Sequence, residues 1–375
     1  MKKIPTVFMR GGTSKGAVFH ERDLPEDRSK WDEIFLKVMG SPDPKQIDGL
    51  GGCVSSNNKI AIIKKSERPG VDIDYTVAQV IIDRPQVDYK SNCGNMSSVV
   101  GPFAIDEGLV EPKGDITTIH LYNENTNKYL DVDVPIKDGK FDNYGDCSIA
   151  GVLGTSAEVK LAFKDPTGAV TESLFPTGNR TDTIDIPGIG EIDLTIIDVS
   201  NPLILLRAED LGFDATELLD EINKKDILEK FETIRGKCAE KIGMVSDWRK
   251  AAVETPAIPK IAFLNTPKEY KTLTGELIKT ETHDICARVI SLNKLHKAYV
   301  LTAATATAVA AELDGTVAKE FMKTKVNTGE VTIAHPSGVM KVTPNIQYDG
   351  DKVNIIDVAV VRTTRKIMEG HVYIK

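Results

Sequence analysis

Cys93 stands in the run Ser91-Asn92-Cys93-Gly94-Asn95-Met96-Ser97-Ser98, a polar turn that leads into a helix with hardly a polar face. Met96, Val99, Val100, Phe103, Ala104 and Ile105 surround that helix, and Gly108 stands where it should stop. A helix apolar nearly all round is a buried one. Its first turn presents N–H groups without intrahelical partners at the positive end of the dipole. Asn92, Gly94, Asn95 and Met96 therefore frame a site for a carboxylate or phosphate, with a thiol beside it. Most free cysteines are inert core residues. One in a polar loop at a helix start has its thiolate favoured, the setting of a reactive cysteine. Lys59 is the second candidate. It opens the apolar string Lys59-Ile60-Ala61-Ile62-Ile63, after Asp48-Gly49-Leu50-Gly51-Gly52 and Ser55-Ser56-Asn57-Asn58. A lysine there is either a solvated strand end or, if the loop lines a cleft, a partly desolvated amine. In the second case its pKa falls from about 10.4 toward neutrality, as a general base requires.

Other motifs are weaker. Gly11-Gly12-Thr13-Ser14-Lys15-Gly16 lacks the spacing of a nucleotide phosphate loop, so Ser14, Lys15 and the local amides read as a carboxylate holder. The loop around Gly49 is no dinucleotide fingerprint. His283-Asp284-Ile285-Cys286 has ligand residue types but no second cluster, and no metal is expected. Racemases of two-half design take a cysteine from each half. The second apolar helix start, His296-Lys297-Ala298-Tyr299-Val300-Leu301-Thr302, has none. If Cys93 moves protons, its partner is of another type, and Lys59 is the natural one. Cys53, Cys147, Cys238, Cys286 and Lys260 read as structural.

The elements that must position these groups follow from periodicity. Strands are expected over residues 4–9, 17–20 and 59–63, a half-buried strand over 72–82, and a strand pair over 116–134. A helix over 29–39 carries Trp31, Ile34, Phe35 and Val38 on one face and ends at Gly40. Beyond a loop-rich stretch the pattern restarts. Leu203–Arg207 echoes residues 6–10, Lys260 to Leu264 echoes Lys59 to Ile63, a helix over 298–313 echoes that after Cys93, and Val331–His335 echoes 116–120. A helical segment over 217–242 lies between the first two. Four matches in one order predict an α+β fold of two pseudo-symmetric halves, each a mostly antiparallel curled sheet around a buried helix. The halves are expected at residues 1–187 and 188–360, facing each other across a cleft that both helix starts enter. Residues 361–375 are expected to return to the first half as a last strand.

The 375 residues suffice for two domains, and 41% apolar with 27% charged residues is a globular profile. A net charge of −8 argues against nucleic acid as a partner. No apolar run is long enough for a membrane span and no signal core is present. The five scattered cysteines suit a reducing cytoplasm. Oligomeric state is not legible, and a homodimer is left open.

Together, Met9-Arg10-Gly11-Gly12-Thr13-Ser14-Lys15-Gly16, Asp48-Gly49-Leu50-Gly51-Gly52, Asn92-Cys93-Gly94-Asn95, Leu295-His296-Lys297 and His335-Pro336-Ser337-Gly338 resemble the PrpF family of isomerases. The resemblance runs nearly end to end. It implies a diaminopimelate-epimerase-like fold and a small unsaturated di- or tricarboxylate of aconitate or itaconate type as substrate. It also implies cis–trans or double-bond-shift isomerisation without a metal or organic cofactor. The family's catalytic lysine and cysteine map onto Lys59 and Cys93. Carboxylate contacts are implied at the helix starts, Asn95 and Thr302, with Ser14, Lys15, Arg288 and Lys297. Asn58 stands where a serine is usual, and Thr307-Ala308 where Thr-Gly is. A keto–enol tautomerase on an oxalomesaconate-like acid, or a non-catalytic protein binding such acids, are the rival readings.

Overall fold

β-Branched and aromatic residues dominate the apolar strings of the first part of the chain, and these fold as strands. The structure, a computed structural model, describes residues 1–90, 93–322, 329–350 and 352–375. It is a sheet-dominated α+β protein with few helices. The chain divides into two units, Met1–Ala162 with Val361–Lys375, and Phe163–Val360.

The first unit contains β1 (Lys2–Gly11), β2 (Ser14–His20), α1 (Trp31–Met39), β3 (Lys59–Lys65), β4 (Ile73–Val80), α2 (Gly94–Asp106), β5 (Ile116–Asn123) and β6 (Lys128–Lys137). Neighbours pair in the order β1–β2 antiparallel, β2–β3 parallel, β3–β4 antiparallel, β4–β5 parallel and β5–β6 antiparallel. The amphipathic α1 buries Trp31, Ile34, Phe35, Val38 and Met39, and Gly40 closes it in the left-handed region that glycine tolerates. α2 covers the other side of these strands and is buried from Gly94 to Ile105. With a helix on each side, β4 is buried at every position rather than on alternate ones, which corrects the half-buried expectation.

α2 contains Pro102, which has no N–H to give the carbonyl four residues back. That carbonyl belongs to Ser98, and the Thr364 hydroxyl donates to it at 3.2 Å. Thr364 arrives on the C-terminal strand, whose last part runs antiparallel to β1 from Gly11↔Thr364 to Lys2↔Ile374. A backbone group freed inside an apolar environment has thus found a partner from the other end of the chain.

The second unit contains β7 (Gly190–Val199), β8 (Asn201–Arg207), α3 (Lys225–Lys241), β9 (Lys260–Asn265), β10 (Ile285–Ile290), α4 (Leu301–Glu312), β11 (Val331–His335) and β12 (Gly338–Asp349). β13 (Lys352–Ile374) begins there and ends in the first unit. The pairing order is β7–β8 antiparallel, β8–β9 parallel, β9–β10 antiparallel, β10–β11 parallel and β11–β12 antiparallel. One sequence match is corrected by this register. Leu203–Arg207 pairs parallel with the Lys260 strand, as Gly16 to His20 pairs with the Lys59 strand, whereas β1 pairs antiparallel with β2. The two units meet in sequence at Ala162/Phe163. Residues after 163 are tied to β7 and its turn: Gly168 N–H donates to Asp198 O at 2.9 Å, Ser200 N–H to Pro166 O at 2.7 Å, and Val170 and Thr171 N–H to the Asp198 carboxylate. The helical segment over 217–242 is split into a single turn at Leu219–Ile222 and α3.

Candidate active site

Successive side chains of a strand face opposite sides, so three strands decide which polar groups meet α2. In β3, Ile60 and Ile62 pack with Phe35 and Val38 of α1, which turns Lys59 toward the α2 side. In β2, Ala17 and Phe19 join the same α1 core, which puts Ser14 on the α2 side and Lys15 against it. In β4, Ala78 and Val80 belong to that core, and Gln79 shares the side of Tyr75, whose hydroxyl meets Ser97 of α2 at 2.9 Å. Ser14, Lys59 and Gln79 thus share one face at one end of the sheet. Lys59 pairs with Gly16, two residues or roughly 7 Å along β2 from Ser14.

The first turn of α2 meets that end. Cys93 is its half-buried N-cap, and the first intrahelical bond runs from Ser97 N–H to Cys93 O at 2.9 Å. The N–H groups of Gly94, Asn95 and Met96 precede that bond, so they form the positive end of the helix. The Asn95 carboxamide donates to Thr13 Oγ1 at 3.0 Å and Ser14 Oγ at 3.3 Å and accepts from Arg362 Nε at 3.2 Å. Gly11 and Gly12 permit this closeness. A Cβ on Gly11 would overlap the Asn95 carbonyl, and one on Gly12 its carboxamide oxygen. Arg362 is 5% exposed. Burial pulls its guanidinium down to about 10, with nearby Cys147 opposing, so it stays charged at neutral pH.

Lys59 is fixed by a carboxamide. Its Nζ donates to Gln79 Oε1, while Gln79 Nε2 donates to Asn58 O and Val80 O at 3.1 Å and to Ser55 O at 3.4 Å. The glycine-rich loop is held by the buried Gln46, which accepts from Cys53 N–H at 2.8 Å and donates to Asn58 Oδ1. Gly16 lets β2 lie against the Lys59 carbonyl, where a Cβ would overlap it.

Several expected contacts are not brought together. Lys15 lies on the opposite face from Ser14, its Nζ 5.8 Å from the centroid of the Phe8 ring. Arg288 pairs with Phe263 on the α3 side of its sheet, fully buried. It donates to Glu217 O at 2.7 Å and Ala287 O at 2.9 Å, with its guanidinium 4.8 Å from the Tyr270 ring. Burial lowers its pKa, with Tyr270 opposing. It braces the core behind the sheet rather than the helix start. Lys297 is exposed, and Met96 is wholly buried, so only its backbone faces the turn. Thr302, buried in the first turn of α4, accepts from Asn201 Nδ2 at 3.1 Å. Asn201 opens β8 as Ser14 opens β2, and the Asn201–Thr302 bond matches the Ser14–Asn95 bond. Asn92 lies outside the described residues.

Sequence reasoning missed Gln46, Gln79 and Arg362. Gln79 did leave a signal: in the alternation Ile73, Tyr75, Val77 it is a polar residue at an inward position. For Arg362, the return of residues 361–375 is expected from the sequence, but not that this residue is the one it brings to Asn95.

A family model described as PrpF protein matches residues 1–375. A 3-methylitaconate isomerase of Eubacterium barkeri is 42% identical, over 100% of this chain and 97% of its own. A 2-methyl-aconitate isomerase of Shewanella oneidensis is 38% identical, over 99% and 96%. Among solved structures, a methylitaconate-delta-isomerase superposes with a TM-score of 0.81 at 42% identity, covering 100% of this chain and 96% of its own. A hydroxyproline epimerase from Agrobacterium vitis superposes with a TM-score of 0.60 at 11% identity, over 99% and 92%. That likeness shows a racemase-like fold.

Proposed function

Because this chain belongs to the PrpF family and is an isomerase, we propose that it acts on unsaturated di- or tricarboxylates of the methylitaconate or methylaconitate type. Its work is to take and return a proton at an allylic carbon, with no resident cofactor. The observation that carries this is the placement of Lys59 and the first turn of α2 at one end of one sheet, with Ser14 between them. An allylic C–H beside a carboxylate becomes acidic when the charge spreading into that carboxylate is stabilised. Preorganised N–H donors and a nearby cation supply such stabilisation. Gly94, Asn95 and Met96 N–H would receive the carboxylate, with Ser14 and the Arg362 charge close by. Lys59 would take the proton and leave a dienolate. Rotation before reprotonation gives cis–trans isomerisation; reprotonation at the far end shifts the double bond. Cys93 would serve as a second acid–base group or as a positioning group.

Taken by itself, the second unit offers the helix start at Thr302, and Lys297, as groups proposed to bind a carboxylate. The shared pairing order and the paired Ser14–Asn95 and Asn201–Thr302 bonds support reading the units as pseudo-symmetric halves. Lys59→Ala tests the reading. Turnover should fall by roughly 10²–10⁴ with the melting temperature little changed; a wild-type rate overturns it. Cys93→Ser then separates the roles of the thiol, since retention of most activity leaves it a positioning group only.

A further inference from the structure

Across three neighbouring strands on the α2 side, Lys59, Gln79 and Asp88 stand in one row. Lys59 is directly opposite Gln79, and Gln79 is directly opposite Asp88 of the two-residue strand Val87–Asp88. All the polar valence of the Gln79 carboxamide is directed. Its NH₂ faces three carbonyls, those of Ser55, Asn58 and Val80, and only its oxygen is turned to the Lys59 amine. Flipping the amide would set an oxygen against three carbonyls and an NH₂ against Nζ, so the surroundings determine the orientation. Gln79 is 5% exposed, and solvent does not compete for that oxygen. The bond survives protonation, because an amine and an ammonium both donate.

Resting on the base role of Lys59, we infer that Gln79 is a positioning residue. Its oxygen fixes where the amine points, and as a neutral acceptor it does so without the negative charge that would hold the amine in its protonated form. A carboxylate at this position would bind the ammonium in preference to the amine. Among the described residues, the titratable groups of the row are Lys59 itself and Asp88 on the far side of Gln79. β2 presents Gly16 opposite Lys59 and adds no charge there.

The test is the pH profile of kcat/KM for Gln79→Glu and Gln79→Met beside the wild type, using methylitaconate and methylaconitate as probes. Gln79→Glu, isosteric, should move the acidic limb up by one unit or more. It should be slower than the wild type on the acidic side of the profile and recover toward the wild-type rate as pH rises. Gln79→Met should leave the limb in place and lower kcat by about tenfold or more, with KM within about threefold. Asp88→Asn, run alongside, should leave the limb near its wild-type position. An unmoved limb in Gln79→Glu, a loss that does not recover at high pH, or a wild-type kcat in Gln79→Met overturns the inference. Wild-type turnover by Lys59→Ala would instead overturn the base role beneath it.

Discussion

Ser14 and Lys15 are adjacent in the chain and separated by the strand they share. Residue type alone makes both carboxylate holders; the alternation of β2 leaves only Ser14 beside Asn95 and sends Lys15 to Phe8. Ser14→Ala should therefore lower kcat/KM on the order of tenfold, the loss of one hydrogen bond to a charged group, while Lys15→Ala should stay within about threefold. Steady-state kinetics on one substrate distinguishes them. Arg288 carries the same lesson further. Its guanidinium serves two carbonyls inside the α3 face, so Arg288→Met should lower stability by about 2–3 kcal/mol and leave KM unchanged in the folded enzyme. Denaturant melts and KM together check it. Lys59, Cys93 and Asn95 were legible because chain-local signals mark them: a strand start after a glycine loop, and a helix start after a polar turn. Gln79 left only the signal of a polar residue at an inward strand position, and the expected return of residues 361–375 does not say that Arg362 is the one to meet Asn95.

At the scale of elements, α2 is the piece whose sequence was most readable and whose support was least so. Its all-round apolarity announced burial, but nothing near Pro102 tells that Thr364 will cap the freed Ser98 carbonyl. Thr364→Val should cost about 1–2 kcal/mol in urea denaturation, since it leaves that carbonyl without its hydroxyl donor. The turn after β5 is pinned similarly by Glu124, which accepts from Thr76 at 2.7 Å, Arg28 at 3.0 Å and Lys64 at 2.9 Å. Burial alone would push this carboxyl up, but the bonds from Lys64 and Thr76 and the two positive charges hold it below the usual range. A carboxyl lowered by folding contributes stability above its unfolded pKa and loses it as pH falls through the folded one. Glu124→Gln should thus melt at a lower temperature at pH 7, and the gap should close as pH falls through the lowered pKa of the folded state. Parallel thermal melts across pH read this directly.

For the whole molecule, the strand strings and the restart of the pattern were legible, since apolar periodicity is written locally. The register was not. Leu203–Arg207 looks like residues 6–10 as a string, yet it pairs parallel with the Lys260 strand, whereas β1 pairs antiparallel with β2. The first unit ends at Ala162, and the residues that follow are tied to Asp198 and Ser200. The chain is an isomerase of the PrpF family, and Lys59 is proposed to move an allylic proton of an unsaturated acid. Proton NMR in deuterated water, with a panel of methylitaconate-, methylaconitate- and oxalomesaconate-type acids, measures this most directly. The wild type should place solvent deuterium at an allylic carbon of the acid it isomerises, and Lys59→Ala should place none. Exchange by Lys59→Ala at the wild-type rate, or binding of these acids without exchange in any of them, would contradict the claim.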